Sequence, residues 1–175
     1  MLFSCTYHSP LGIIFLESSQ DSLKKLYFCG QKYAKMSLDS KTCEDLEIFR
    51  QTKAWLECYF AGQNPSFQPQ FSIESLHSSD FAKSVWEILL KIPYGTTTSY
   101  GNIAKILAKK RDLQALSAQA VGNAIARNPI AIIIPCHRVL GSDNNLTGYA
   151  GGIDKKLKLL QLENINTLNL RMPRK

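Results

Sequence analysis

Asn128-Pro129-Ile130-Ala131-Ile132-Ile133-Ile134-Pro135-Cys136-His137-Arg138-Val139 runs from an amide and a proline, through five apolar residues, to a thiol between a proline and two basic side chains. An uncharged run of this length predicts a short buried strand or extended segment over 130–134. Pro135 ends it, because proline lacks a backbone donor and holds the residue before it extended. Cys136 is therefore carried at the mouth of a rigid apolar segment. Cations at His137 and Arg138 lower a thiol pKa and raise the fraction of thiolate, which is the nucleophile. A cysteine in an apolar run is also, more commonly, a small buried hydrophobe. The flanking proline and arginine, and the flexible run Gly148-Tyr149-Ala150-Gly151-Gly152 further on, favour chemistry.

Charge points the same way. The 175-residue chain carries a net +7, unevenly placed. Residues 1–79 hold 7 Lys+Arg and 8 Asp+Glu, a net of −1, whereas residues 80–175 hold 14 and 6, a net of +8. The excess lies wholly in the half with the Cys-His pair. A basic domain is the electrostatic footprint of a nucleic-acid partner, although it also suits a merely soluble surface. No apolar run approaches the roughly 18 residues that suggest a membrane span, and residues 1–6 lack the pattern of a signal peptide. Five cysteines at irregular spacing read as free thiols in a reducing, cytoplasmic setting rather than a disulfide scaffold. Cys5, His8, Cys29, Cys43, Cys58 and His77 match no zinc-ligand spacing, so no metal is expected.

Working outward, the basic half reads as helical. Ser79 or Asp80 caps a helix with Phe81, Val85, Trp86, Leu89 and Leu90 on its apolar face. Ser99 caps a second over Tyr100–Ala108. After the basic turn Lys109-Lys110-Arg111, a third runs from about Ser117 to Arg127. Two short helices with a basic turn read as helix-turn-helix. Ala118, Ala120, Gly122, Ala124 and Ala126 leave the third helix almost bare. That suits close packing against a neighbour, and it also suits entry into a narrow groove. A last helix is expected over about Ile153–Glu163, then a mobile basic tail over 164–175.

The acidic half reads as strands near Phe3–Tyr7, Ile13–Leu16 and Leu26–Cys29, then a helix from about Glu44 to Phe60 closed by Gly62. Pro65, Pro69 and nearby Ser and Gln mark a hinge over 64–79. Two domains follow, 1–79 and 80–175.

Pro135-Cys136-His137-Arg138-Val139, with Asn128-Pro129 before it and Gly148-Tyr149-Ala150-Gly151-Gly152 after it, resembles the methylated-DNA–protein-cysteine methyltransferases. The resemblance is dense from about Phe81 to Glu163 and thinner before that, where Ser9-Pro10-Leu11-Gly12 resembles the family's N-terminal hairpin. It implies an α/β (α+β) protein, with a ribonuclease-H-like N-terminal domain and a mainly helical, winged helix-turn-helix-like C-terminal domain. It implies transfer of an alkyl group from O6 of guanine in double-stranded DNA to Cys136, once per molecule, with O4-alkylthymine as a further substrate. No cofactor is needed and a monomer is expected. By the same resemblance, His137 takes the thiol proton, directly or through a water, Glu163 orients the imidazole, and Asn128 anchors the turn before the apolar run. Tyr100 donates to the departing base. Val139, Tyr149 and Ala150 bind that base after it has left the duplex. Ala118, Gln119, Ala120, Gly122 and Arg127 lie on the helix implied to enter the minor groove, where sequence is poorly distinguished.

The chain departs from the family's pattern at Gln119, where an arginine commonly fills the gap left by the flipped base. Two other functions fit parts of the sequence: a Cys-His hydrolase, which would leave the basic helices unexplained, and a non-catalytic lesion-binding protein, which would leave Cys136 unexplained.

Overall fold

The computed structural model describes residues 1–35 and 37–172. Contacts divide it into two units. The first comprises Met1–Leu76 and, from far along the chain, Pro129–Ile133; the second comprises His77–Asn128 and the chain from Ile134 onward. Residues 129–133 thus group with the first unit, not with the basic half around them.

In the first unit, β1 (Phe3–Ser9), β2 (Gly12–Ser18) and β3 (Leu23–Phe28) form an antiparallel meander. The short β4 (Lys41–Thr42) pairs parallel to β1, giving the order β3-β2-β1-β4. The hairpin between β1 and β2 turns at Ser9, whose Oγ donates to Gly12 O at 2.6 Å and accepts from Leu11 N at 3.1 Å. α1 (Glu47–Phe60) buries Ile48, Phe49, Trp55, Leu56 and Tyr59 on one face, and Trp55 stacks on Tyr59 with 5.3 Å between ring centroids. It begins three residues later than its apolar spacing suggested. Among the described residues no three His, Cys, Asp or Glu side chains gather as a metal cluster.

The apolar run 130–134 is buried, but it is not a strand. Only Ile130 pairs, bridging to Leu26: Leu26 N donates to Pro129 O at 2.8 Å and Ala131 N to Leu26 O at 2.7 Å. The chain then turns about Ile132, closed by Ile133 N to Ala131 O at 2.8 Å. Ile132 sits at φ 68°, a conformation rare for a β-branched residue. Hydrophobicity reported the burial correctly; it carries no information about a backbone that turns sharply at Ile132 and again at Pro135.

In the second unit, α2 (Asp80–Leu89), α3 (Tyr100–Lys110) and α4 (Ala118–Ala126) pack together around Val85, Trp86, Leu89, Ile103, Leu107, Val121 and Ile125. Each begins at a serine whose Oγ accepts from a backbone N–H of the first turn: Ser79 from Ala82, Ser99 from Asn102, and Ser117 from Gln119 and Ala120. Trp86 Nε1 donates to Ala124 O at 3.0 Å and locks α2 to α4. The two-residue strands β5 (Thr98–Ser99) and β6 (Val139–Leu140) pair in parallel, setting the start of α3 beside the chain that follows Cys136.

α5 (Ile153–Leu162) closes the unit, with Leu160 packed among Leu140 and Leu146. The expected tail is not loose where it is described. Arg171 N donates to Asn144 O at 3.0 Å and Leu146 N to Arg171 O at 2.8 Å, while Ile165 and Leu170 cover the Leu140–Leu146–Leu160 cluster. Two apolar residues, Ile165 and Leu170, were outweighed in the sequence by their polar neighbours. The last three residues of the expected tail, 173–175, lie outside the described residues.

Candidate active site

Two tight turns deliver Cys136. Pro135, at φ −81° and ψ 63°, is the centre of a turn closed by Cys136 N to Ile134 O at 2.8 Å. A single 3-10 turn, Cys136–Arg138, follows at once. Asn128 ties the two ends of the loop together, since its Nδ2 donates to Ile134 O at 2.8 Å and also to Cys136 Sγ at 3.2 Å. The thiol is 6% exposed, so its nucleophilicity is set by the groups around it rather than by water. Burial raises its pKa above the ordinary value. The Asn128 hydrogen bond, the Lys156 charge and the backbone N–H groups of Cys136 and His137 pull the other way.

His137 and Glu163 are both buried, and His137 Nε2 lies 2.6 Å from Glu163 Oε1. Burial lowers the imidazole pKa; the hydrogen bond and charge of Glu163 oppose that, and the charges of Arg138 and Lys156 add to it. The ring is thus held neutral. With its proton on Nε2, facing the carboxylate, the imidazole carries its lone pair on Nδ1. Burial alone would raise the Glu163 carboxyl, but the hydrogen bonds from His137 and Arg138 and the charge of Arg138 outweigh it and hold the pKa at about 2.

Arg138 does not stand beside the thiol as a second cation. Its Nε and Nη2 grip both oxygens of Glu163, at 2.8 and 3.0 Å, and its Nη1 donates to Ile92 O at 2.7 Å. Gly95 N adds a further bond to Glu163 Oε2 at 3.0 Å. A 3-10 turn sends consecutive side chains about 120° apart, so neighbours in sequence do not share a direction. The cation acting on Cys136 is instead Lys156 from α5, wholly buried, which spacing overlooked. A signal existed: Lys156 and Glu163 stand seven residues apart on the face that carries Leu159 and Leu160, the wrong face for two solvated charges.

The loop Thr147–Gly152 brings Tyr149 to the same place. Tyr100 Oη donates to Thr147 O and Gly148 O at 3.2 and 3.0 Å. Gly148 has φ +61°, and a Cβ there would fall 2.9 Å from Tyr100 Oη, so space and conformation both require glycine. Tyr149 Oη is buried with no hydrogen-bond partner among the described residues. Both phenols are held above their ordinary pKa first by burial and then by the charge that Cys136 can carry, which places both rings around the thiol. Val139 O accepts from Lys156 Nζ. Cys136, Asn128, His137, Glu163, Tyr100, Val139 and Tyr149 thus converge, and Ala150 follows Tyr149 in the chain, half-buried.

The remaining candidates are on α4. Val121, Ala124 and Ile125 face inward, while Ala118, Gln119 and Arg127 are exposed and Ala120 and Gly122 half-buried. Gly122 lies against the Tyr100 ring, 3.7 Å from where its Cβ would be. The bare helix surface therefore runs up to one of the rings around the thiol.

A buried thiol held by an asparagine, next to a neutral histidine backed by an arginine-clamped carboxylate, is equipped to lose a proton and attack carbon. Family models agree with that chemistry: "6-O-methylguanine DNA methyltransferase, ribonuclease-like domain" matches residues 2–73 and "6-O-methylguanine DNA methyltransferase, DNA binding domain" matches residues 80–165. The methylated-DNA–protein-cysteine methyltransferase of Methanosarcina acetivorans is 42% identical over 162 residues, covering 93% of this chain and 98% of its own. That of Mycobacterium leprae is 38% identical, covering 93% of each. Among solved structures, Mycobacterium tuberculosis OGT in complex with DNA is 38% identical with a TM-score of 0.79, over 92% of each chain. Since relatives this similar match nearly end to end, this chain belongs to the methylated-DNA–protein-cysteine methyltransferase family.

Proposed function

We propose that this protein repairs alkylated double-stranded DNA directly, moving the alkyl group of O6-alkylguanine onto Cys136. The observation that carries the reading is the thiol held at 3.2 Å by Asn128 Nδ2, in a buried site with His137 fixed on Glu163. His137 Nδ1 takes the thiol proton, directly or through a water, and Glu163 stabilises the imidazolium that results. The thiolate forms the S–C bond as the C–O6 bond breaks, and the electron pair passes into the purine. Tyr100 supplies a proton to the ring and is reprotonated, through solvent, at the expense of the His137 imidazolium, so the net proton moves from Cys136 to guanine. To do this its hydroxyl must exchange Thr147 O and Gly148 O for the base. Tyr149 and Ala150 line the pocket, and the Val139 carbonyl meets the base edge.

The base has to leave the stack to reach a thiol this deep. α4, with Ala118, Gln119, Ala120, Gly122 and Arg127, is the element narrow enough to follow the minor groove. The thioether product is chemically stable, so each molecule acts once. The same displacement serves O4-alkylthymine, whose alkyl carbon also sits on an oxygen of a heteroaromatic ring. The protein acts as a monomer in the cytoplasm. Cys136→Ala tests the reading. It should abolish transfer from a duplex bearing O6-methylguanine while leaving duplex binding intact, and residual transfer would overturn it.

A further inference from the structure

α4 has a side that its core packing does not use. Val121, Ala124 and Ile125 face inward, and most of the other positions are alanine or glycine. Along the helix and its C-cap, only Gln119, Asn123 and Arg127 are both exposed and polar. They follow one another at intervals of four residues, so they form a single row, one side chain per turn. Asn123 is the middle member and the one without a task. Asparagine is among the weaker helix formers, because its amide competes for nearby backbone groups. Here it neither caps the helix nor packs in the core, and among the described residues its carboxamide has no hydrogen-bond partner. Its neighbour Gly122 lies against the Tyr100 ring, with 3.7 Å between that ring and where its Cβ would be. Asn123 is therefore one residue away from a wall of the thiol pocket.

What an unpartnered amide can do there follows from the floor of the minor groove. A·T and T·A pairs present only acceptors, whereas a G·C pair adds the guanine 2-amino group, the one donor. Arg127 carries donors alone, which suits phosphate. Asparagine carries both kinds of group, an NH2 and a carbonyl oxygen. Its Oδ1 can accept from the guanine 2-amino group while its Nδ2 donates to a ring acceptor. The small residues on either side, Gly122 and Ala120, put no branch between that amide and the groove floor.

We propose that Asn123 is a specificity-determining residue for repair: its carboxamide reads a base pair beside the lesion through the minor groove and favours G·C there, by accepting from the guanine 2-amino group. The proposal rests on α4 entering the minor groove. Asn123 makes and breaks no covalent bond, so its effect lies in holding the duplex and not in the step at Cys136. It makes the protein sensitive to the sequence around the lesion, at a position one turn along the helix from Gln119.

The test measures the affinity of the full chain, carrying Cys136→Ala so that no transfer intervenes, for duplexes with one O6-methylguanine and varied base pairs on each side of it. G·C at one flanking position should bind about fivefold tighter than A·T, the low end of what a paired donor–acceptor contact discriminates. Inosine in place of that guanine removes only the 2-amino group and should cost the same factor. Adding Asn123→Ala should flatten the profile and make inosine equal to guanine. Asn123→Lys, a donor alone, should turn the preference towards A·T. Asn123 is exposed, so neither substitution opens the core. A flank profile unchanged by Asn123→Ala, or an inosine penalty that survives it, overturns the proposal. With Cys136 intact, Asn123→Ala should react with free O6-benzylguanine, which has no flanks, at the wild-type rate; a loss there would assign the effect to the thiol and overturn the proposal too. Competition by netropsin, a minor-groove ligand, at an A·T-flanked lesion reads the placement of α4 separately. Binding that netropsin does not displace would overturn that placement and the proposal with it, whereas displacement with an unchanged flank profile would overturn the proposal alone.

Discussion

Arg138 shows how one side chain can keep another in register. Glu163 faces His137 at 2.6 Å only because its carboxylate is fixed from behind by two guanidinium nitrogens and by Gly95 N. Arg138→Met should leave a buried carboxylate short of its main cation, at a cost of about 3 kcal/mol in thermal or denaturant unfolding at neutral pH. The sign of the pH dependence is set by the depressed Glu163 pKa, about 2 against an ordinary 4.5. Stability from the ionised carboxylate is fully present above 4.5 and is lost as pH falls towards 2. The gap between wild type and Arg138→Met should therefore narrow over that window; a gap constant with pH would show that Arg138 acts by packing alone. Cys136 and His137 were legible in the sequence through the motif, and Glu163 only through the family resemblance. The true partner of Arg138 was not, because adjacency along a 3-10 turn separates directions that adjacency in sequence suggests are shared. Lys156 was missed for a related reason: a lysine is assumed solvated unless its helical face is checked.

At the scale of elements, α4 carries the feature that most distinguishes this chain. Gln119 is exposed in its first turn, on the side away from Val121 and Ile125. Unstacking a base costs a few kcal/mol, and a guanidinium stacks and pairs with phosphate better than a carboxamide does. Gln119→Arg should speed transfer from duplex DNA and change little with the free base O6-benzylguanine. An equal gain on both substrates would assign the effect to the thiol instead of to base flipping. Helices were the most readable elements, since Ser79, Ser99 and Ser117 announce their starts and each accepts the expected bond. The run 130–134 was the least readable. Its burial follows from composition, but its turns depend on Leu26, about a hundred residues earlier, and on φ 68° at Ile132, which no local preference predicts.

For the whole molecule, charge separates the two halves: −1 over residues 1–79 and +8 over residues 80–175. Binding to undamaged duplex should therefore weaken steeply with salt, since each phosphate neutralised releases close to one counterion. A titration of affinity against salt concentration should give a straight line of negative slope on logarithmic axes, with the slope reduced in Arg127→Ala. Affinity indifferent to salt would contradict a role for the basic half.

The most direct measurement is a mass spectrum of the intact protein, followed by peptide mapping, after incubation with excess duplex carrying O6-methylguanine. One methyl group per chain, on Cys136 and on none of Cys5, Cys29, Cys43 or Cys58, with no further repair once every chain is modified, is the predicted result. Methyl on another cysteine, or many lesions cleared by one unmodified chain, would contradict it.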